Sequence, residues 1–493
     1  MRRSGVLLHI SSIPSPYGIG SFGKKAYEFV DFLYEAEQTY WQILPLGPTS
    51  HGDSPYQTFS AFANNPYFID LDMLVEEGLL KKDEIVSHFN SDRYCEYDKL
   101  YDERFLVLKK AFHRFDVANY HFQQFVFDQR NWLYDYALFM SIKGYYHGKS
   151  WESWPADIRL RKPEMLVYFK DLLQEDFMFY QFVQFKAYEQ YASLKSYAND
   201  KGIKMIGDMP IYVSYDSSDV WANPEFFNLD EDRIPIEVAG VPPDNFSAEG
   251  QLWGNPLYNW DIMKQDDYAW WVDRVKSSME LFDMIRIDHF IGFQNYYAIP
   301  QGHKTAVLGT WRKGPGIDIF HAIKRHLGDV NIIAEDLGVI TDDVRKLLKS
   351  TGFPGMKLLQ FAFDSREESD YIPHLYDRNV IAYTGTHDNE TTAEWFTKLP
   401  EKDLTYCLDY INHVSGNPVD SLIKATLACV ADTAIIPMQD WLSLGKEARM
   451  NIPSTTGNNW KWRLKSSELN DNLLNKMKSF TLLYGRGYHG KRG

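Results

Sequence analysis

Two side chains in the run Phe282-Asp-Met-Ile-Arg-Ile-Asp-His-Phe290 are of an unexpected type for a buried strand. Successive side chains on a strand point to opposite faces, so Arg286 and Asp288 share one face while Ile285 and Ile287 share the other. An ion pair that fixes packing is one explanation, but desolvation offsets most of the attraction within such a pair. Chemistry is the better explanation, because buried charges with perturbed protonation concentrate at functional sites. Three further carboxylates close apolar runs: Asp208 in Ile206-Gly-Asp-Met-Pro210, Glu335 in Ala334-Glu-Asp336, and Asp388 in Thr386-His-Asp-Asn389. Asp is common at strand–loop junctions, which accounts for one or two of them. Four carboxylates, with His289, His387 and Arg286, point instead to one shared mouth.

Two chemistries suit such a mouth. Asp208, Asp288, Glu335 and histidines are ligand types for a hard cation in an enolising or phosphoryl-transfer reaction. Glycosyl transfer instead needs one ionised carboxylate as nucleophile and one protonated carboxyl as acid, roughly 5–5.5 Å apart in a retaining enzyme. Arg286 favours the second, because a guanidinium beside Asp288 favours its ionised form and competes with a cation. The chain has no Gly-rich phosphate loop with a lysine, which weakens the phosphoryl branch.

The elements that must position these residues are strands alternating with amphipathic helices. Strand-like runs occur at Gly5–His9, Tyr40–Leu46, Lys204–Asp208, Phe282–Asp288, Val330–Glu335, Lys357–Phe363, Asn379–Thr384 and Thr433–Met438. Eight of them with helices between predict an α/β fold, a (β/α)₈ barrel with its chemistry at the C-terminal strand ends. Helices are expected over Tyr268–Phe282, capped by Asp266 and Asp267, and from Thr341 to Gly352. The chain reads as one catalytic barrel domain over residues 1–493 with two insertions. Residues 47–200 form a mostly helical subdomain, with helices at Arg104–Phe115 and Gln123–Lys143, too long for an ordinary βα connection. A second insertion spans about 210–267, and its Gly240–Gly254 stretch, with Phe246 and Trp253, reads as a loop forming a lid or cleft wall, or as a packed surface loop.

A 493-residue chain with 44% hydrophobic and 24% charged residues is an ordinary globular composition. Its 14 Trp, 32 Tyr and 31 Phe are an excess, and aromatic rings in polar loops suit the flat faces of sugars. A net charge of −15 argues against a nucleic-acid surface. No run has the length of a signal or membrane-spanning segment, and Cys95, Cys407 and Cys429 have no ligand-like spacing, which fits a cytoplasmic protein without membrane partners.

Several motifs, in order along nearly the whole chain, resemble those of the amylomaltase, or 4-α-glucanotransferase, family (disproportionating enzyme, glycoside hydrolase family 77). They are Leu44-Pro-Leu-Gly-Pro-Thr49, Asp53-Ser-Pro-Tyr56, Gly207-Asp-Met-Pro-Ile-Tyr212, Gly240-Val-Pro-Pro-Asp244, Trp253-Gly-Asn-Pro-Leu257, Ile285-Arg-Ile-Asp-His-Phe290, Ala334-Glu-Asp-Leu-Gly338, Thr384-Gly-Thr-His-Asp-Asn389 and Arg449-Met-Asn-Ile-Pro453. The resemblance implies a retaining α-1,4 transglycosylase of the α-amylase clan, acting on maltooligosaccharides, starch or glycogen with glucose as an acceptor, and needing no metal or organic cofactor. By position Asp288 is implied as nucleophile, Glu335 as general acid/base and Asp388 as the carboxylate holding the donor sugar. Arg286 would keep Asp288 ionised, His387 and Asp208 would hydrogen-bond the reacting sugar, and Tyr56 would stack beneath it. Asp244 and Trp253 fall in the family's mobile loop. Where some relatives carry a tyrosine of a secondary glucan site, this chain has His51, whose ring offers less stacking area. A metal-dependent barrel lyase or isomerase and a non-catalytic glucan-binding protein are the alternatives. The second would most simply show a lost catalytic carboxylate, and none of the three is missing.

Overall fold

The computed structural model describes residues 2–85, 88–243, 247–338 and 340–487. Each of the eight apolar runs contributes a strand: β1 (Arg3–Leu7), β2 (Tyr40–Gln42), β3 (Lys204–Met209), β4 (Met284–Ile287), β5 (Ile332–Ala334), β6 (Gly355–Leu358), β7 (Val380–Tyr383) and β8 (Thr433–Pro437). All neighbours pair in parallel, in the order β6-β7-β8-β1-β2-β3-β4-β5. The two end strands meet at a seam, where Ala334 N–H donates to the Pro354 carbonyl at 2.9 Å and Met356 N–H to Asp336 Oδ1 at 2.7 Å. The sheet is therefore a nearly closed (β/α)₈ barrel. Gly355 allows the close approach, since a Cβ there would lie 2.6 Å from an Asp336 oxygen.

Register brings the polar ends together: Asp208 pairs with Arg286, and Ile287 with both Met209 and Ala334. The strands are mostly shorter than the apolar runs. The run at Lys357–Phe363 is strand only to Leu358 and then turns as a 3₁₀ segment, Leu359–Phe361. Hydrophobicity continues through the turn because the turn is also packed, so it does not mark where the ladder stops.

The region between β2 and β3 carries the helices Tyr97–Phe112, Tyr120–Asp128, Arg130–Tyr145, Pro163–Leu172 and Gln174–Asp200. The single helix expected over Gln123–Lys143 is broken at Gln129. Part of this region has its own aromatic core, with Phe112, Phe122, Phe179, Phe182 and Phe185 buried together. Helix Ala269–Leu281 buries Trp271 and Val275, and Asp266 Oδ1 accepts from Ala269 N–H at 3.3 Å. Helix Asp342–Thr351 opens on the Thr341 hydroxyl and closes at Gly352 in the left-handed region, as expected.

The stretch Gly240–Gly254 differs from the loop its composition suggests. Strands Glu237–Val241 and Gln251–Pro256 pair antiparallel through it, with Gly240 opposite Leu252. Two later strands, Asn295–Pro300 and Thr310–Lys313, complete a four-stranded sheet. Glycine and proline signal the turn of this hairpin, while the exposed Thr310–Lys313 strand carries no apolar alternation to reveal it. Asp244 and Phe246, like the side chain of His51, lie outside the described residues. Among the described residues no helix is long and apolar enough to cross a membrane, and Cys95, Cys407 and Cys429 are buried free thiols.

Candidate active site

Arg286 projects from β4 into the barrel mouth and is buried there. Its Nη1 donates to Asp208 Oδ1 at 2.8 Å, Asp208 Oδ2 at 2.7 Å and Asp288 Oδ1 at 3.0 Å, and its Nη2 lies 3.4 Å from Glu335 Oε2. Its Nε faces Met356 Sδ at 3.4 Å. One guanidinium thus stands among three carboxylates from three adjacent strand ends. Burial alone would disfavour its charge, but Asp208, Glu335 and Asp288 outweigh this and hold it firmly protonated.

Immediately after Asp288 the chain turns sharply at His289, which adopts the left-handed region at φ 51°. That conformation is uncommon for a residue with a side chain. It directs the His289 N–H at Glu335 Oε2 and seats the imidazole edge-on to Trp253 with ring centroids 4.8 Å apart. Burial pushes the His289 imidazole down to about 4, so it stays neutral at ordinary pH.

The end of β7 supplies His387 and Asp388. His387 Nε2 lies 3.3 Å from Asp388 Oδ2, and Asn451 Nδ2 donates to Asp388 Oδ1 at 2.6 Å. Burial opposes ionisation of Asp388, but His387, Asn451 and Arg286 together hold its carboxyl well below the usual range. Glu335 is shifted the other way. Burial is the main cause, the negative Asp288 and Asp388 add to it, and Arg286 and the His289 N–H only partly counter it, so the carboxyl is held well above its usual range. Two acids at one mouth are thus shifted in opposite directions.

The residues singled out by type come together, with one change of place. The Asp208 side chain is fully enclosed, and its oxygens accept from Arg286 and from the Tyr56 hydroxyl at 2.7 Å. It therefore sits behind Arg286, in contrast to the expected hydrogen bond to sugar, because β3 and β4 are in register at these two residues. The side chains of Asp288 and Asp388 keep 26% and 40% of their surface exposed and remain open to a ligand. Tyr56 is half-buried, stacked on His387 with 12° between ring planes and hydrogen-bonded to its Nε2 at 2.8 Å. Trp253 stands on the hairpin described above, beside Tyr212 and His289.

The model of the 4-α-glucanotransferase family matches residues 8–469. The chain belongs to that family. A 4-α-glucanotransferase of Clostridium butyricum is 48% identical over 485 residues, covering 97% of this chain and 100% of its own. That of Thermus thermophilus is 45% identical over 481 residues, 95% of this chain and 96% of its own. The solved structure of amylomaltase from Streptococcus agalactiae in complex with acarbose superposes with a TM-score of 0.96 at 44% identity, covering 99% of this chain and all of that one.

Two members of this 4-α-glucanotransferase's mouth carry no chemistry in the sequence reading. Asn451 lies in the quoted Arg449–Pro453 motif, but an asparagine at no catalytic spacing gives no signal. Trp460 packs within 5.7 Å of Tyr56 and 5.9 Å of His387. Its setting, Gly457-Asn-Asn-Trp460, is the aromatic-in-a-polar-loop pattern noted above and would have found it. Among the described residues no group of three or more His, Cys, Asp or Glu is arranged to hold a metal ion. The position between Asp208, Asp288 and Glu335 is filled by the Arg286 guanidinium.

Proposed function

We propose that this 4-α-glucanotransferase acts on α-1,4-glucans by a retaining double displacement, with Asp288 as nucleophile, Glu335 as general acid and base, and Asp388 holding the donor sugar. The observation that carries this reading is the opposite setting of Glu335 and Asp388 around the shared Arg286. Asp288 Oδ1 is occupied by Arg286, which leaves Oδ2 to attack. In the first step Asp288 Oδ2 bonds to the anomeric carbon, the glycosidic bond breaks, and the Glu335 proton goes to the leaving 4-oxygen. In the second the 4-hydroxyl of an acceptor glucan or glucose gives its proton to Glu335, its oxygen bonds to the anomeric carbon, and the bond to Asp288 breaks.

Arg286 hydrogen-bonds and orients the nucleophile, Asp208 holds Arg286, and His387 and Tyr56 line the donor site. That the similar Streptococcus agalactiae amylomaltase was solved in complex with acarbose supports an oligosaccharide-like ligand for this chain. Transfer in place of hydrolysis requires exclusion of water, and the hairpin carrying Trp253, with the helical region 47–200 as a subdomain beside the mouth, is the cover assigned to that task. Three buried free thiols support a reducing, cytoplasmic location.

Incubation with pure maltotriose tests the reaction. Glucose together with a ladder of longer maltooligosaccharides is expected; glucose and maltose alone would identify a hydrolase and overturn the transfer reading.

A further inference from the structure

The loop Arg449-Met-Asn-Ile-Pro453 grips the chain that carries Asp388. Besides the 2.6 Å bond to Asp388 Oδ1, Asn451 N–H donates to the His387 carbonyl at 3.1 Å. Arg449 donates through Nη2 to the Asp388 carbonyl at 3.1 Å and through Nε to the Asn451 carbonyl at 2.9 Å, and its Nη1 lies 3.0 Å from Glu390. These hydrogen bonds from the loop hold both the main chain and the carboxylate of Asp388.

We infer that Asn451, braced by Arg449, is the positioning residue for Asp388: its amide fixes the carboxylate rotamer and holds Oδ2 toward His387 and the donor sugar. This rests on the reading of Asp388 as the group that holds the donor. A side-chain amide can only donate to the ionised carboxylate through N–H, so it also favours the charged form. The other charged or titratable groups facing Asp388 are His387, Arg286, Glu335 and Tyr56 from the barrel mouth, with Arg449 and Glu390 on the loop side.

Asn451→Ala and Asn451→Asp in the full chain, assayed with maltotriose across both limbs of the pH profile, test the inference. Asn451→Ala is expected to lower kcat about 100-fold with KM nearly unchanged, the cost of a small misplacement of a reacting group. Asn451→Asp is nearly isosteric, but its carboxyl donates only while protonated, and two carboxyls this close resist joint ionisation. Activity is then lost as pH rises through the second titration of the pair, and the optimum moves down by about one pH unit. A residue that merely packed would leave the shape of the profile unchanged. An Asn451→Asp profile coinciding with wild type, or an Asn451→Ala kcat within about twofold of it, would overturn the inference, since positioning effects are of order 100-fold. Asp388→Asn separates the two claims: if it stays active, the reading of Asp388 fails; if it is inactive while both Asn451 variants match wild type, only the positioning role fails.

Discussion

Arg286 and Arg486 are both sealed from water, yet their surroundings are opposite. Arg486, near the base of the barrel, donates to the carbonyls of Leu427 at 2.7 Å, Ala431 at 2.9 Å, and Arg3 and Cys429 at 3.0 Å. Burial pushes its guanidinium down to about 10. Arg104 repeats the pattern on the carbonyls of Tyr17, Tyr67 and Ile69 and is likewise lowered to about 10. Arg286 faces carboxylates and is raised. A buried arginine on carbonyls ties chain segments together, whereas one on carboxylates organises charge. The partner, and not the burial, distinguishes a structural arginine from one at a site.

The largest effect that distinguishes the two regions is expected at the mouth. Asp288→Asn removes the nucleophile while keeping its size and the hydrogen bond to Arg286. Disproportionation of maltotriose is expected to fall by about three orders of magnitude or more, with the thermal midpoint near that of wild type. Retention of more than a trace of activity in the purified variant would locate the nucleophile elsewhere.

Arg486→Met is expected to show the converse. The carbonyls of Ala431 and Arg3 lose the Arg486 donor while those of Leu427 and Cys429 keep Arg2, and each buried group left unsatisfied costs about 1–3 kcal/mol before relaxation. A loss of about 3 kcal/mol in denaturant unfolding is expected, with kcat per folded molecule unchanged. A variant of wild-type stability, or one folded but inactive, would erase the contrast between the two arginines.

Much of this contrast was legible in the sequence, but only on one side. Arg286 shares a strand face with Asp288, and period two reveals the pair without a fold. Glu335 and Asp388 could be joined to it because strand–helix alternation predicts a barrel, which brings strand ends together. Arg104 and Arg486 escape such reading, since their partners are main-chain carbonyls, and a carbonyl has no residue type. The same reason hides Arg449, two of whose bonds go to backbone, and the β4 turn at His289, whose N–H serves Glu335. Asp208 was legible as a member of the site but not as the group behind Arg286, because that depends on the register of two strands far apart in sequence.

The smallest effect concerns the acid itself, and its sign follows from the direction in which Glu335 is shifted. A glutamate in the unfolded chain titrates at about 4.3, whereas the folded mouth holds Glu335 protonated to higher pH. The stability contributed by that difference is fully present below the unfolded value. It is lost as pH rises toward the folded value, by up to about 1.4 kcal/mol per pH unit, because the unfolded state ionises freely while the folded state does not. Glu335→Gln does not titrate, and its carbonyl still accepts from the His289 N–H. The variant should therefore gain stability relative to wild type as pH rises through the weakly acidic range, while being inactive. Asp388 works in the opposite sense, with stability present above about 3.9 and lost as pH falls, but both proteins keep it, so it largely cancels in the difference. Thermal melts of the two proteins at stepped pH measure this difference. A gap that stays flat or narrows with rising pH would mean that the folded mouth does not hold Glu335 neutral, and the division of protonation between Glu335 and Asp388 would fail with it.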